Sequence, residues 1–170
     1  MDLYEVIRQR RSVRRYENRP IEEAKLLRVL EAARLAPSAR NMQEWRFIVV
    51  RDAETRRRLC EAAKGQASVA EAPVVIAACG TVLDVVMACG QTTYPIDLSI
   101  AVEHLVLAAE AEGLGTCWIG AFLEDQARAI LGVPDTIRIV ALLPMGYPAE
   151  HPDARPRKAL EEIVAWEKWS

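Results

Sequence analysis

Four arginines crowd into one short run, Arg10-Arg11-Ser12-Val13-Arg14-Arg15-Tyr16. Guanidinium groups this close repel one another unless water or an anion neutralises them. The planar fork of arginine donates two parallel hydrogen bonds to phosphate, so a single bound phosphate is one reading of the cluster. Ser12 adds a hydroxyl donor on the same turn. A solvated charge run is the other reading. Near the far end, Asp153-Ala154-Arg155-Pro156-Arg157-Lys158 follows a proline-bearing turn, and its cations could return to the same phosphate or simply face water.

Two further stretches could receive a flat ligand. Ala36-Pro37-Ser38-Ala39-Arg40-Asn41-Met42-Gln43-Glu44-Trp45 is dense in small and amide residues. There Ser38, Asn41 and Gln43 could donate to and accept from a planar heterocycle, although such a segment is also an ordinary loop. In Gly113-Leu114-Gly115-Thr116-Cys117-Trp118-Ile119-Gly120-Ala121-Phe122, Gly120 and Ala121 stand at a strand exit where a ligand could lie against the backbone. Gly113-Leu114-Gly115 follows a helix instead of opening one, the reverse of a dinucleotide fingerprint. By periodicity alone, Trp118 belongs in the core.

Other chemistry lacks its parts. His104 sits in an apolar helix and reads as a hydrogen-bonded interior or interface histidine, while His151 lies in a proline-flanked turn. Neither belongs to a G-x-S-x-G, H-E-x-x-H or Cys–His pattern, so no side-chain nucleophile is in prospect. Any redox or transfer reaction would need an organic cofactor. Cys60, Cys79, Cys89 and Cys117 are far apart, which argues against a zinc site or a disulfide framework and makes most of them small core residues.

The elements that must position these residues alternate along the chain. A short helix from Leu3 to Arg10 places Leu3, Val6 and Ile7 on one side. A second, Ile21 to Ala36, carries Leu26, Leu27, Leu30 and Ala33 at helical spacing and stops before Pro37. Trp45 to Val50 is aromatic and β-branched, hence a strand. Asp52 caps a helix over Ala53 to Lys64. Pro73 to Cys79 is an unbroken apolar strand, expected to be central and covered on both faces. Leu105 to Ala109, within a helix from Ile96 to Glu112, is apolar all round and calls for burial on every side, with a partner subunit as a reasonable second cover. Strands at Thr116 to Ile119 and Ile137 to Leu143 flank a helix from Glu124 to Leu131. An amphipathic helix from Lys158 to Trp169, carrying Leu160, Ile163, Val164 and Trp166, closes the chain.

With 170 residues, 51% of them hydrophobic and 27% charged, the chain is expected to form one layered α+β domain over residues 1–170. Its formal charge of −2 offers no global attraction for nucleic acid or an anionic membrane. Met1 to Glu5 lacks an apolar signal core, and no run approaches a membrane span, so a soluble cytoplasmic protein is expected.

Taken together and in order, these motifs resemble the nitroreductase-like family of FMN-dependent oxidoreductases over nearly the full length. Ala72-Pro73-Val74-Val75 and the segment from Asp97 to Gly120 add to the match. The resemblance implies a three-layer α/β/α fold around a mixed, mostly antiparallel sheet, in a homodimer with FMN at the subunit interface. It implies that Arg10, Arg11, Ser12 and Arg14 hold the phosphate and ribityl chain, and that Arg155 and Arg157 close the phosphate site. Pro37, Ser38, Ala39 and Asn41 would reach the flavin from the partner subunit. Trp118, Ile119 and Gly120 would lie along the isoalloxazine, with Gln66 at its pyrimidine edge. Electrons would pass from NAD(P)H through FMN to a nitroaromatic or quinone by a ping-pong mechanism, with no catalytic side chain and no metal. A flavin-storage protein and specialised relatives (dehalogenase, flavin-cleaving, dehydrogenase) are the competing readings. Glu44 departs from the pattern, since relatives commonly have proline there.

Overall fold

The computed structural model describes residues 1–169. Four strands, β1 (Trp45–Val50), β2 (Val74–Gly80), β3 (Gly115–Thr116) and β4 (Arg138–Gly146), form one sheet in the order β1-β2-β4-β3. Every pairing between them is antiparallel. The parallel component is a single bridge from Ser12 to Thr116. Among the described residues six helices surround the sheet: α1 (Leu3–Gln9), α2 (Glu23–Arg34), α3 (Ala53–Ala62), α4 (Ala67–Glu71), α5 (Thr93–Ala111) and α6 (Glu124–Leu131).

The alternation of strand side chains makes the three layers. On β2, Val74, Ile76 and Ala78 face the α2–α5 layer, and Val75, Ala77 and Cys79 face the layer of α3, α4 and α6. Both faces are covered, so all seven residues of β2 are buried, as its unbroken apolar run required. A bulge opposite Ala78 and Cys79 shifts β4, which lets Ile139 join one core while Ala141 joins the other. Helix α3 starts where Asp52 accepts the Thr55 N–H at 2.7 Å. That bond, followed by one from the Thr55 hydroxyl, holds the Asp52 carboxyl below its ordinary range.

Several expectations need correction. Helix α5 packs Leu98, Val102, Leu105 and Ala109 into one core with α2 and the sheet, but Leu107 and Ala108 are only half-buried by this chain, so the burial on every side expected for 105–109 is not completed within it. His104 is exposed on it, not interior. On α2 the buried positions are Leu26, Val29 and Ala33; Leu27 lies on the outer flank because α2 meets α5 along a narrow stripe. On α1 only Val6 is buried, with Leu3 and Ile7 exposed. The region 116–119 is regular only at Thr116, with Ile119 bridging to Leu142. The largest departure is the C-terminal stretch, where Leu160–Glu162 makes one 3-10 turn and Ile163, Val164, Trp166 and Trp169 stand exposed. A short amphipathic helix needs a surface beneath its apolar face, and this segment has none within the chain. Helix α4 had no counterpart in the sequence reading.

Among the described residues no helix is long and apolar enough to cross a membrane. None of the four cysteines is in a disulfide; Cys79 and Cys117 are buried, Cys60 is half-buried and Cys89 exposed. Burial pushes the Cys79 thiol up to about 11.

Candidate functional site

The arginine cluster follows α1 directly, and the fold fixes it from three sides. Asp2 and Glu5 close a capping box at the start of α1. At its end the Arg11 guanidinium donates through Nη1 to the carbonyls of Arg8, Gln9 and Arg10 at 2.7–3.0 Å. A cation there complements the negative end of the helix dipole. Beyond it, Ser12 bridges to Thr116, and the Val13 N–H donates to the Thr116 carbonyl at 2.9 Å. This close approach requires glycine at 115, because a Cβ there would lie 2.7 Å from Val13. The chain then zips along the end of β4. Tyr16 pairs with Pro148, the Glu17 N–H donates to Tyr147, and the Ala149 N–H donates to Arg15. The Glu150 carboxylate accepts the backbone N–H of Arg14 at 2.6 Å.

This zip delivers the C-terminal cations to the N-terminal ones. Arg10, Arg11, Ser12 and Arg14 line one cleft of about 590 Å³ together with Arg155 and Arg157. Among the described residues no carboxylate forms an ion pair with Arg10, Arg14, Arg155 or Arg157. By contrast, Arg15, Arg19, Arg28, Arg34, Arg51, Arg57, Arg128 and Arg138 each pair with an acid. Asp153 is the one acid on the cleft wall. Unpaired guanidiniums facing a shared space are what a bound phosphate would neutralise. Their field also reaches the strand exit: burial raises the Cys117 thiol, while Arg14 and Arg10 pull it back.

From Thr116 the chain leads away from the cation cleft toward Gly120, at most about 13 Å if extended. Trp118 is 41% exposed on this stretch, so the core reading of its side chain fails. Ile119 is buried, and Gly120 is open, since an added Cβ would meet only the Trp118 indole nitrogen at 3.7 Å. Gln66 Nε2 donates to the Ala121 carbonyl at 3.1 Å, tying α4 to the same exit. Gly120 also lines a second, smaller cleft of about 300 Å³.

The remaining candidates stand apart. None of Pro37, Ser38, Ala39 and Asn41 lines the cation cleft of its own chain. Their loop is nonetheless rigidly built. Buried Asp97 of α5 accepts the Ala39 N–H at 2.8 Å, and Ser38 Oγ accepts the Gln43 N–H at 2.9 Å. Arg40, Asn41 and Gln43 hold positive φ angles of 51–56° without being glycine. Such backbone strain persists where the surroundings enforce it and collects at functional sites. The sequence reading missed Glu150 and Asp97. The second was detectable as an acid within an apolar helix; nothing local announces the first. Glu44, which departs from the family pattern, is 2% exposed, and neither carboxylate oxygen has a hydrogen-bond partner.

The family model described as "Nitroreductase family" matches residues 7–81 and 61–147. A protein of Thermus thermophilus named NADH dehydrogenase is 38% identical, the alignment covering 92% of each chain. A Bacillus subtilis protein named FMN reductase [NAD(P)H] is 29% identical over 90% of this chain and 68% of its own. Among solved structures, a nitroreductase family protein from Clostridium novyi NT superposes with a TM-score of 0.84 at 37% identity, over 90% of both chains.

Proposed function

The chain belongs to the nitroreductase family, and from that premise we propose that it is an FMN-dependent oxidoreductase. Electrons enter from NAD(P)H and leave to an electron-poor acceptor such as a nitroaromatic or a quinone, in a ping-pong sequence. The observation that carries this reading is the convergence of unpaired guanidiniums from both ends of the chain on one cleft. FMN bound there supplies the reversible two-electron chemistry that no side chain of this protein offers.

The residues present fit that group. Arg10, Arg14, Arg155 and Arg157 would take the phosphate, with the Ser12 hydroxyl as a further donor. Arg11 divides its donors between the end of α1 and the cleft wall. The bridge from Ser12 to Thr116 joins the arginine segment to the strand exit, which supports a placement in which Trp118, Ile119 and Gly120 would run along the ring. Open space at Gly120 would let the ring approach the main chain, where a free backbone N–H would stabilise charge on it. Gln66, held to the Ala121 carbonyl, would stand at the pyrimidine edge.

The working form is a homodimer with flavin at its interface. Two features support it. The loop of Pro37, Ser38, Ala39 and Asn41 is firmly built yet lies outside its own cation cleft, as a loop serving a neighbour's flavin would. Large apolar side chains also stand uncovered on α1, α2 and the C-terminal segment, among them Tyr4, Leu27, Leu35, Trp166 and Trp169. Free cysteines throughout agree with work in the reducing cytoplasm.

Absorbance after FMN addition and anaerobic mixing with NADH or NADPH test the function. A flavin spectrum that bleaches on mixing is expected; a protein that takes up no FMN refutes the reading. Sedimentation equilibrium tests the assembly, and a monomer at micromolar concentration refutes the dimer.

A further inference from the structure

We propose that the cation cleft has a second anion subsite, on Arg8, which takes the 2′-phosphate of NADPH and makes NADPH the preferred donor over NADH. The choice of donor deepens the flavin reading above and rests on it; the subsite itself does not.

The walls carry more charge than one flavin phosphate neutralises. Arg8, Arg10, Arg11, Arg14, Arg155 and Arg157 supply six guanidiniums, and Asp153 is the one carboxylate among the lining residues. A phosphate monoester brings about two negative charges at neutral pH. FMN held by Arg10, Arg14, Arg155 and Arg157 therefore leaves positive charge over, and Arg8 has no part in holding it. The acids of an adjoining groove do not make up the difference. Glu150 accepts the Arg14 N–H, and burial raises the Glu110 carboxyl while Arg10 and Arg11, not Arg8, pull it back.

Arg8 is free for a ligand. It stands exposed in the last turn of α1, and among the described residues its side chain enters no ion pair and no hydrogen bond. A cation at a helix end ordinarily answers the carbonyls left open there. Here Arg11 does so, its Nη1 reaching the carbonyls of Arg8, Gln9 and Arg10.

The space suits a nucleotide better than a bare ion. About 590 Å³ far exceeds one phosphate group, and Ile7, Pro152 and Ala154 set apolar surface between the cations. Ile7, next to Arg8, is 50% exposed, an uncovered apolar side chain against which a ribose or purine can lie. NADH and NADPH differ only in the monoester on the adenosine ribose, and a guanidinium fork beside that ribose tells them apart. Arg8 stands four residues before Ser12, which bridges to Thr116 at the start of the strand exit. A dinucleotide is longer than a mononucleotide. A donor with its nicotinamide on the ring and its chain along the flavin would therefore carry its adenosine end back to the arginine segment.

Isothermal titration of NADP⁺ and of NAD⁺ into the FMN-loaded protein, with R8Q and R8K alongside, tests the subsite. NADP⁺ is expected to bind about tenfold tighter than NAD⁺. R8Q should remove most of that difference by weakening NADP⁺ alone, and R8K should restore part of it. The Kd for FMN should stay within about twofold of the parent in R8Q, because Arg8 does not hold the flavin phosphate. In turnover, the ratio of kcat/KM for NADPH to that for NADH should fall about tenfold in R8Q, with the NADH value unchanged. Equal Kd values for NADP⁺ and NAD⁺, or an NADP⁺ Kd that R8Q leaves alone, overturn the proposal. Release of FMN by NADP⁺, seen as a rise in free-flavin fluorescence, also overturns it, since the cleft would then hold one phosphate and not two. If both donors bleach the flavin alike, only the subsite is refuted. A protein that takes up no FMN yet binds NADP⁺ through Arg8 upholds the subsite and refutes the flavin reading instead.

Discussion

Replacing Arg14 and Arg157 together by glutamine isolates the claim that both ends of the chain hold one phosphate. Each guanidinium would supply a charge-assisted hydrogen bond, and such bonds contribute about 1.5–3 kcal/mol when protected from water. Both residues are exposed at the rim of an open cleft, so solvent and salt reduce that figure to about 1–1.5 kcal/mol each. The pair therefore accounts for about 2–3 kcal/mol, a roughly 30- to 150-fold rise in the Kd for FMN. Fluorescence titration of FMN into the apoprotein measures it, and riboflavin, which lacks the phosphate, is the internal control. Riboflavin affinity should change less than about twofold, and the loss for FMN should shrink as salt rises. R28Q, which breaks the Arg28–Glu112 pair away from the cleft, should leave both affinities alone. An equal loss for riboflavin, or no loss for FMN, would show that the arginines do not act on the phosphate.

Four other perturbations probe the supports of the site. Glu150→Ala removes the acceptor for the Arg14 N–H and should weaken FMN by about fivefold, roughly 1 kcal/mol, with Glu150→Gln close to the parent in the same titration. Gly115→Val forces a side chain into Val13; a cost of about 1–3 kcal/mol, or a Tm lower by roughly 2–12 °C, should appear in thermal melts. The Glu22 carboxyl is held near 2, first by the Tyr147 hydroxyl, then by its own backbone N–H and by Arg19. Its folded pKa is depressed, so its contribution is complete above the ordinary carboxylate value and lost as pH falls from about 4.5 toward 2; Tyr147→Phe should flatten that acid limb in pH-dependent unfolding. Glu44→Leu removes a buried carboxylate without a partner and should raise Tm by about 2–8 °C, whereas a fall would show that a donor from outside the chain reaches it.

Local chemistry made much of the fold legible. The β-branched run at Trp45–Val50, the Asp52 cap and the helix Glu124–Leu131 depend on neighbours in sequence, and each stands where its pattern put it. The unbroken apolar run of β2 disclosed its central place because only a strand covered twice can afford no polar face. The failures have one cause. Leu27, Ile7, Trp166 and Trp169 are apolar at helical spacing, and periodicity assigns such residues to a core without asking whether this chain has a surface to cover them. Trp118 was misplaced for the same reason, its indole standing at an open exit.

The site shows a different division. Its cations were visible as types and spacings, because arginines in close sequence carry their repulsion with them. Their convergence was not, since it is made by backbone pairing between residues 15–17 and 147–149 and by one carboxylate, Glu150, whose partner is 136 residues away. That arrangement has a mechanical consequence. Ser12 is bridged to Thr116, and the strand exit continues from Thr116 to Gly120, so a displacement of the arginine segment must also move the wall along which the ring would lie. With FMN placed as proposed, phosphate affinity and ring position would therefore be coupled through a few hydrogen bonds in this chain. A substitution at Gly115 or Glu150 should disturb both, whereas one at Arg155 or Arg157, on the C-terminal side of the cleft, should disturb the phosphate alone.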